Sequence, residues 1–510
     1  MVLKDKQMKK NYALLFLSFA IQFSFATTRN VPGTYSTVQA ALTACNNGDT
    51  ILVQPGTYTG NIVWPNKSNL KLYSAGDSSN TILSGNNTGQ VLRFSLLSAV
   101  DTNTIIKGFK ITNGFVNTSS SSGGGIYIAS CHPKFVDVSI TNNHLYTLNW
   151  AYGAGVYLSG SNSVFRNSTI WANKLDTAAW GHGAGIYITG SSAPKFYNVK
   201  INGNRSNSNS WAYGTGVYCD GSNAVFSNVK VCNNYVNAGA IWYYGTGMYF
   251  NASTSSLTNV LVSSNTQDNN GSFYYGAGIY SNGSSGAITM TNCTVTDNKR
   301  TNGGTINGSG LYANTSSNIT ALNSIFYNTN GGLEVVNNGG TVVITYSDVR
   351  GGFIGTGNIN LSPAFVSSTD FHLTNLSPCV AAGLLSGSPG NDLDYNARPM
   401  PALTNPDMGC YELNQPPVSV SNMDDQLFSL QVYPNPFNTT TEIHFSLSQT
   451  ALVNVEIVEI NGKLIEKLLD GEFPKSEFVL KFDGTNLAQG MYFCRMTIGN
   501  EVHVVKMMKQ

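Results

Sequence analysis

The sequence predicts an all-β protein: a right-handed parallel β-helix solenoid followed by a small antiparallel β-sandwich. First, a phrase ending in Gly-x-Gly recurs every 30 to 32 residues through the middle of the chain. Second, the composition is rich in Gly, Asn, Ser and Thr and only 11% charged, which favours sheets with many turns over helices. Third, Glu and Lys return and Gly thins out over the last eighty residues, which indicates a second domain.

The N-terminus has the layout of a secretory signal. Two lysines follow Met8, an apolar run comes next, and small residues stand at Ser24 and Ala26. We expect residues 1–26 to be a signal peptide cleaved after Ala26. The apolar run is short for a membrane span, and no later run is longer, so no transmembrane segment is expected in the mature chain.

The first structured element is predicted to be a short helix that covers the open end of the solenoid. Val38, Ala41, Leu42 and Cys45 share one helical face. A turn at 47–49 then leads into the first strand.

Three features of the repeat keep the same period. The closing glycines are Gly125, Gly155, Gly185, Gly216, Gly247, Gly278 and Gly310. A first asparagine series is Asn167, Asn198, Asn228, Asn259, Asn292 and Asn323. A second is Asn173, Asn204, Asn234, Asn265 and Asn298. Three features in phase indicate one coil of a solenoid per repeat, stacked in parallel about 4.8 Å apart, with like residues in ladders.

Within one repeat the strand period of two is visible. Ile186 and Ile188 alternate with Tyr187, and Phe196 also faces inward. The alternation slips by one residue at Asn198, which requires a bend in the left-handed backbone region that Asn tolerates. We therefore predict three short strands and three turns per coil.

Two aromatic rows follow from the stacking. The first, placed at the turn before the Gly-x-Gly strand, is Trp150, Trp180, Trp211, Trp242 and Phe273. The second, outward by strand parity, is Tyr157, Tyr187, Tyr218, Tyr249, Tyr280 and Tyr312. Exposed rings at this spacing can stack on a polysaccharide, or they can pack on one another and hold the register. Both interpretations stay open, and the rows are the candidate ligand-binding residues.

No catalytic group emerges from the pattern. The acids of the coils stand at different phases of the repeat: Asp137, Asp176, Asp220, Asp268 and Asp297. His182 occupies a position that is Tyr in other coils, which indicates a ladder substitution. Arg205, Lys299 and Arg300 fall in loops without evident carboxylate partners.

Neither a metal nor a cofactor is predicted. Asp392, Asp394 and Asn396 have the alternate spacing of a calcium loop but lack its glycine and glutamate, so a hydrogen-bonded loop is the favoured interpretation. No Cys-x-x-Cys pair exists. The pairs Cys219–Cys232 and Cys379–Cys410 are candidate disulfides. A net charge of +1 predicts no basic field for nucleic acid or an anionic membrane.

The cap helix, the first strand and the "GGGIY" and "GAGIY" coils resemble pectin-lyase-like β-helix proteins over roughly residues 30–360. That superfamily includes polysaccharide lyases, adhesins and polymorphic outer-membrane proteins. Ser377–Gly383, Asp392–Pro399 and Asp407–Glu412 resemble the closing segment of exported bacterial β-helix proteins, with departures at Cys379, Val380 and Tyr395. The solenoid with both caps is thus expected over 27–413.

A polar, proline-bearing linker is expected at 414–427, and a sandwich over 428–510. "VYPNPF", "NGK" and "LAQGMYFCRM" resemble the type A sorting domain of the type IX secretion system. The residues that carry the motifs are Tyr433, Pro434, Asn435, Pro436, Gly462, Gly490 and Tyr492. The resemblance implies export by that machinery, removal of the domain by a sortase-like protease, and release or attachment at the outer-membrane surface.

Together these observations predict a secreted or cell-surface protein that binds a glycan or acts as an adhesin. The alternative is a polysaccharide lyase or glycoside hydrolase acting on an extracellular polysaccharide with an unrecognised site. The aromatic rows favour binding, and the absence of a carboxylate cluster in the pattern disfavours catalysis.

Overall fold

The computed structural model describes residues 26–237, 239, 241–268, 272–283, 286–301, 305–329, 332–413, 430–447, 449–498 and 501–510. The expected signal peptide, apart from its last residue Ala26, and the expected linker 414–427 lie outside these residues. The chain divides into two compact units. Unit 1 is Met1–Val225, Cys232–Thr254 and Asn270–Phe273, and unit 2 is Phe226–Val231, Ser255–Asn269 and Tyr274–Gln510.

Short strands dominate the described chain, with one helix, α1, at Val38–Thr43. The first strands are β1 Thr28–Val31, β2 Thr50–Val53, β3 Gly56–Thr59, β4 Ile62–Val63, β5 Lys71–Ser74, β6 Thr81–Ser84, β7 Leu92–Ser95, β8 Ile105–Lys107, β9 Lys110–Thr112, β10 Phe115–Asn117, β11 Ser121–Ser122, β12 Ile126–Ala129, β13 Lys134–Val136 and β14 Ser139–Thr141. The next are β15 His144–Thr147, β16 Ala151–Tyr152, β17 Val156–Ser159, β18 Val164–Trp171, β19 Lys174–Thr177, β20 Trp180–His182, β21 Ile186–Thr189, β22 Lys195–Asn202, β23 Arg205–Ser208, β24 Trp211–Tyr213 and β25 Val217–Asp220.

The remaining strands of the solenoid are β26 Val225–Cys232, β27 Tyr235–Val236, β28 Trp242–Tyr244, β29 Met248–Asn251, β30 Ser255–Ser263, β31 Thr266–Gln267, β32 Phe273–Tyr275, β33 Ile279–Asn282, β34 Ala287–Thr291, β35 Thr294–Thr296, β36 Lys299–Arg300, β37 Leu311–Asn314, β38 Asn318–Leu322, β39 Ile325–Tyr327, β40 Val335–Asn338, β41 Thr341–Thr345 and β42 Asp348–Val349. All their pairings with one another are parallel, as in β12–β17–β21–β25 of unit 1. The fold is therefore a parallel β-solenoid.

Neighbouring Gly-x-Gly strands lie directly beside each other. Val156 N donates to the carbonyl of Gly185 at 3.0 Å, and Ile186 N donates to that of Gly216 at 3.0 Å. This confirms that one repeat is one coil. The prediction of three strands per coil is wrong, because a coil such as 156–182 contains four, β17 to β20. The two strands expected on either side of the bend form one strand, such as β22, and two segments expected as turns are strands. One of them follows the second asparagine series, where only one buried apolar residue, such as Leu175, marks its alternation, and the other is the short strand at the aromatic row.

The bend at the first asparagine series is confirmed. Asn167 and Asn198 lie inside β18 and β22 with φ of 49° and 53°, in the left-handed region. Phe196, Val199 and Ile201 are all buried. The side chains after Asn198 therefore point into the core again, because its left-handed conformation shifts the alternation of the strand by one residue.

The core consists of ladders, as expected from the repeat. Phe135, Phe165 and Phe196 stack with ring centroids 4.8 and 5.3 Å apart. The second asparagine series forms a buried amide ladder, in which Asn173 Nδ2 donates to Asn204 Oδ1 at 2.9 Å. Each rung also donates to a backbone carbonyl, as Asn204 does to Ile170. Buried donors and acceptors are thereby satisfied along the stack.

The Gly-x-Gly phrase has a backbone explanation. Gly183 has a φ of +57°, and a Cβ there would also lie 2.1 Å from the carbonyl oxygen of Ile186, so no other residue fits this turn. Gly185 is needed for a different reason, since a Cβ there would lie 2.5 Å from the carbonyl oxygen of Gly216 in the next coil. The first glycine turns the chain and the closing glycine allows the coils to approach.

The amphipathic helix packs against the first strands of the solenoid, but it is not the first element as predicted, because β1 precedes it and pairs with β2. Val38, Ala41 and Leu42 of α1 are buried, and Thr37 Oγ1 caps the helix by accepting from Ala40 N. In the turn that follows, the buried Asp49 pairs with Arg29 at 2.8 Å.

The closing segment of unit 2 differs from the expected end cap, because it lies along the side of the coils. There the first asparagine series donates its amides to the closing segment. The donor–acceptor pairs are Asn228 to Asp392 O, Asn259 to Asn391 O, Asn292 to Asp407 O, and Asn323 to Leu384 O, at 2.7 to 3.0 Å. Asn in the left-handed bend leaves its amide at the surface, where an extended segment can accept from it.

The candidate disulfides are wrong, because all eight cysteines are buried free thiols. Cys219 stands in register between Ile188 and Phe250, so its thiol fills a core position of the ladder.

The C-terminal domain is the predicted antiparallel sandwich. Its strands are β43 Leu430–Tyr433, β44 Thr440–Ser446, β45 Ala451–Glu459, β46 Leu464–Phe473, β47 Glu477–Asp483, β48 Gly490–Ile498 and β49 Glu501–Lys509. They form the sheets β43–β44–β47 and β46–β45–β48–β49. Phe437, Phe445, Ile457, Phe482 and Met496 contribute to its core.

Candidate functional site

The aromatic ridge of unit 1 is the row Trp150, Trp180, Trp211, Trp242 and Phe273. Trp180, Trp211, Trp242 and Phe273 begin the short strands β20, β24, β28 and β32, so they do not stand in the expected turn. Trp150 directly precedes β16 and is the one member that keeps the expected position. Trp150–Trp180 and Trp180–Trp211 are stacked at 5.4 and 4.6 Å. Trp211–Trp242 is edge-on at 6.3 Å, and Trp242–Phe273 stacks at 3.8 Å.

The stacking decides which parts of the ridge a ligand can reach. The rings of Trp180 and Trp211 are parallel to within 1° and cover each other's faces. Trp150 and Phe273, at the two ends, are 47% and 40% exposed. The ridge therefore offers ring edges along its length and exposed rings at its ends.

The outward tyrosine row is covered by a further aromatic row. Tyr187, Tyr218, Tyr249, Tyr280 and Tyr312 are buried, and Tyr157 is half-buried. In unit 1 the covering row includes Tyr152, His182, Tyr213 and Tyr244. His182, for example, meets Tyr218 edge-on at 5.0 Å. Strand parity predicted the direction of these tyrosines correctly, but a neighbouring strand removes them from solvent.

His182 is a ladder substitution, as the sequence indicated. Its ring stacks on Tyr152 and on Tyr213, each at 5.0 Å. Burial lowers the pKa of His182 to about 4, so the ring is neutral at pH 7.

A second exposed feature, the polar strip, lies on the strands that lead into the ridge. The strip consists of His144, Tyr146, Lys174, Asp176, Arg205 and Asn207 on β15, β19 and β23. Asp176 is its centre. Its Oδ2 lies 2.8 Å from His144 Nε2 and 2.7 Å from Lys174 Nζ, and its Oδ1 accepts from Asn207.

The charge of the strip follows from these bonds. Partial burial by itself would raise the pKa of Asp176, but the hydrogen bonds from His144, Lys174 and Asn207 outweigh it and lower the pKa to about 2. Asp176 is thus a carboxylate at all ordinary pH values. Arg205 lies 5.6 Å from the ring of Tyr235 and donates to Asn207.

Sequence reasoning missed the strip because the strand that carries it was taken as a turn. The available signal was the residue directly after each buried asparagine. His144, Lys174 and Arg205 follow Asn143, Asn173 and Asn204 and fall in register.

The other acidic and basic residues of the coils that the sequence analysis considered have separate partners. Asp137 lies beside Lys107, and Asp220 accepts from Asn251. Lys299 does have a carboxylate partner, Asp297 at 3.1 Å. The expected loops are also wrong, because Arg205 begins β23, and Lys299 and Arg300 form β36. Arg300 lies 3.6 Å above the ring of Tyr274.

The loop with calcium-like spacing is hydrogen-bonded. Asp392 Oδ1 accepts from Asp394 N and Asn396 N, and its Oδ2 accepts from Glu412 N at 2.8 Å. The carboxylate therefore serves the closing segment. Among the described residues no group of three or more His, Cys, Asp and Glu is arranged to hold a metal ion.

The motif residues of the sandwich have mainly structural roles. Asn435 Oδ1 accepts from Met508 N, and its Nδ2 donates to Lys506 O, which ties the "YPNP" loop to β49. Tyr492 is buried and donates to Ala488 O. Gly462 has a φ of +83°, and Gly490, at a φ of +154°, begins β48. Tyr433 is exposed.

Comparison with known proteins supports both domains. Residues 73–284 match the family model described as "Right handed beta helix region". Residues 431–510 match the one described as "Secretion system C-terminal sorting domain". No curated protein matches the chain.

Two solved structures are similar to the chain. The pectin methylesterase from carrot is 14% identical, with 62% of this chain and 88% of that chain covered and a TM-score of 0.28. A mutant pectin methylesterase in complex with a hexasaccharide is 12% identical, with 68% and 97% covered and a TM-score of 0.26. At these scores neither likeness bears on the function of the chain.

Residues 73–284 therefore form a right-handed β-helix region, within a chain whose described part is a parallel β-solenoid followed by antiparallel sheets. The chain carries the C-terminal sorting domain of the type IX secretion system, which implies export to the cell surface or release from the cell. No helix in the described part of the chain is long and apolar enough to cross a membrane.

Proposed function

We propose that this protein binds an extracellular glycan along the aromatic ridge and the polar strip of unit 1. The observation that carries the proposal is the juxtaposition of the two features. Exposed aromatic groups and a row of hydrogen-bonding side chains repeat together at the coil spacing of about 4.8 Å. That spacing is close to the length of one sugar residue.

The chemistry of the two features is complementary. Apolar sugar faces pack on aromatic rings, such as the exposed ring of Trp150, while hydroxyl groups need donors and acceptors. Lys174, Asp176 and Asn207 supply both kinds of partner, and their mutual hydrogen bonds hold them in place before a ligand arrives.

The second candidate function is cleavage of the bound polysaccharide. His144 and Asp176 form a partly exposed His–carboxylate pair in the polar strip, with Nε2 and Oδ2 2.8 Å apart. The pair could exchange a proton with a glycan on the strip. Glycosidases use two carboxylates, and the strip contains one, which favours binding without cleavage.

The domain limits and the export steps belong to the same proposal. Residues 27–413 would form the mature solenoid. A sortase-like protease of the type IX machinery would remove residues 428–510 after cutting in the linker 414–427, once the signal peptide had been cleaved after Ala26.

The test is a glycan array probed with the purified full-length protein, with affinities then measured for Trp150→Ala and Trp211→Ala. Each substitution should weaken binding of the selected glycan at least about tenfold, since buried aromatic anchors dominate such interfaces. Tyr395→Ala is the control, because Tyr395 is similarly exposed, at 57%, on the closing segment of unit 2.

Loss of stability in Trp211→Ala without any loss of affinity in either variant would show that the ridge serves packing alone. Reducing-sugar and unsaturated-uronide assays are run on the same glycans. If wild type forms a product, and His144→Ala and Asp176→Asn do not, the protein cleaves the glycan, and the second candidate function replaces the first.

A further inference from the structure

Charge is distributed unevenly along the chain. Residues 26–225 contain twelve Lys and Arg, six Asp and no Glu, a net charge of +6, against +1 for all 510 residues. The near-neutral total therefore conceals a basic first half, and the expectation that the chain has no basic field does not hold for this part.

Half of these cations lie on five strands of unit 1 that belong to one sheet, on both sides of the bend, and we call this surface the basic face. It consists of Lys107 on β8, Lys110 on β9, Lys134 on β13, Arg166 on β18, and Lys195 and Lys200 on β22. Their strand neighbours Phe135, Phe196 and Ile201 are buried, so alternation directs the cations outward.

The register spaces the cations into three columns. Lys107 and Arg166 are two strands apart, as are Lys134 and Lys195, whereas Lys110 and Lys200 are three apart. The separations within a column are thus about 10 to 14 Å. No two of these cations are direct cross-strand partners, which limits their repulsion while the face stays positive.

Few anions oppose this charge. The six strands β8, β9, β13, β14, β18 and β22 contain no Asp or Glu. Asp137, at the bend between β13 and β14, lies 3.7 Å from Lys107 with both side chains about half exposed. At the margin of the face, burial and then the charge of Lys134 lower the pKa of Lys71.

In unit 2 the corresponding strands and bend are bound to the closing segment, which supplies many hydrogen-bond acceptors. Lys230 pairs with Asp394 of the closing segment at 3.3 Å, and Asn228 donates to the carbonyl of Asp392. In unit 1 the corresponding Asn167 and Asn198 are exposed beside the cations. Bend amides and lysines of this solenoid thus bind an extended chain of oxygen acceptors where one is available.

We infer that the basic face binds a polysaccharide strand bearing carboxylate or sulfate groups, laid along the stacking direction of the coils. Anionic groups on alternate sugars would meet cations about 10 Å apart, and the exposed bend amides would donate to hydroxyl or ring oxygens. Tyr197, which stacks with Arg166 at 4.2 Å, adds an aromatic surface between the columns. This site is separate from the aromatic ridge and does not depend on it.

The test measures binding of polygalacturonate and of its fully methyl-esterified form to the full-length protein. The triple variant Lys134→Gln, Lys195→Gln, Lys200→Gln should bind polygalacturonate at least about tenfold more weakly. Wild-type affinity should fall as salt is raised from about 50 to about 200 mM and be far lower for the uncharged ester.

The control is Lys463→Gln, Lys467→Gln, Lys481→Gln in the sandwich, which removes the same charge from exposed lysines and should leave the affinity unchanged. A Lys→Arg version of the basic-face triple retains charge and should bind like wild type, which separates loss of charge from misfolding. Equal loss in both Gln triples, or tighter binding to anionic lipid vesicles or to duplex DNA than to polygalacturonate, would overturn the assignment.

Discussion

Two asparagines of one coil have opposite roles because their surroundings differ. Asn198 turns the backbone through the left-handed region and leaves its amide exposed. Asn204 is buried, accepts from Asn173 and donates to Ile170. The buried ladder of unit 2 ends at a carboxylate, because Asn328 donates its backbone N–H at 3.0 Å and its side-chain amide to the buried Glu334.

The first prediction concerns this terminal Glu334. Burial raises its pKa to about 8, although the bonds from Asn328 and the charge of Arg350 act to lower it. A folded pKa above the unfolded value of about 4.5 means that the folded state binds the proton more tightly. Its stabilising effect is therefore complete below about pH 4.5 and is lost as pH rises through about 8, by at most about 1.4 kcal/mol per pH unit.

Glu334→Gln should flatten this dependence, because the amide keeps an acceptor for Asn328 and does not ionise. Urea midpoints measured from pH 5 to 9 compare it with wild type and with Glu477→Gln, an exposed glutamate of the sandwich that should change nothing. Equal slopes in all three proteins would contradict the assignment.

At the scale of the element, the distance between neighbouring coils is set by contacts between their backbones. The closing glycines of successive coils, such as Gly155 and Gly185, would each place a Cβ within 2.6 Å of a carbonyl oxygen of the following coil. The repeated phrase therefore builds the stack first. The ridge that precedes it is available for binding only because this backbone arrangement holds the rings in register.

Gly185→Ala should destabilise the solenoid by about 1–3 kcal/mol, since its Cβ meets the Gly216 carbonyl at 2.5 Å and Asn204 Nδ2 at 3.0 Å. Gly390→Ala is the control, because no atom lies within 4 Å of its Cβ. Denaturant unfolding monitored by tryptophan fluorescence checks both. Equal stability of the two variants would show that the coils can separate without cost.

At the scale of the whole molecule, a solenoid must cover its ends and its exposed donors. The helix α1 covers the first coils, and the closing segment of unit 2 occupies the bend amides of its side. The segment is held by the fully buried ion pair of Arg398 with Glu412 at 2.8 Å, and Arg398 also donates to Asn259 and to Gly409 O.

Arg398→Ala should destabilise unit 2 by about 3–5 kcal/mol, because Glu412 and the neighbouring Asp407 would remain buried without their cation. Limited proteolysis should then cut between residues 377 and 413 at protease concentrations that leave wild type intact. Lys230→Ala breaks the exposed pair with Asp394 and should cost less than about 1 kcal/mol. If the closing segment of Arg398→Ala stays protected from the protease, the amides of the first asparagine series are sufficient to hold it.

The solenoid was predictable because its causes are local and repeated. Gly183 and Gly185 mark each coil, Asn198 marks the bend, and Phe196 marks the inward face. The candidate site was predictable only in part. The ridge follows from the repeat, but the polar strip around Asp176 does not, because its strand has too little apolar alternation to distinguish it from a turn.

The sequence by itself determined the fold class, the period, the ladders and the export domain, since each depends on residues close together in the chain or on one spacing repeated many times. Only the tertiary structure decided that Tyr187 and its row are covered, that the closing segment lies along the coils, and that Lys107, Lys134 and Lys200 lie on strands of one sheet. Those outcomes depend on which coils and segments lie side by side. Alternation along a strand predicts whether a side chain points inward or outward, but it does not predict which neighbouring strand or segment covers that side chain.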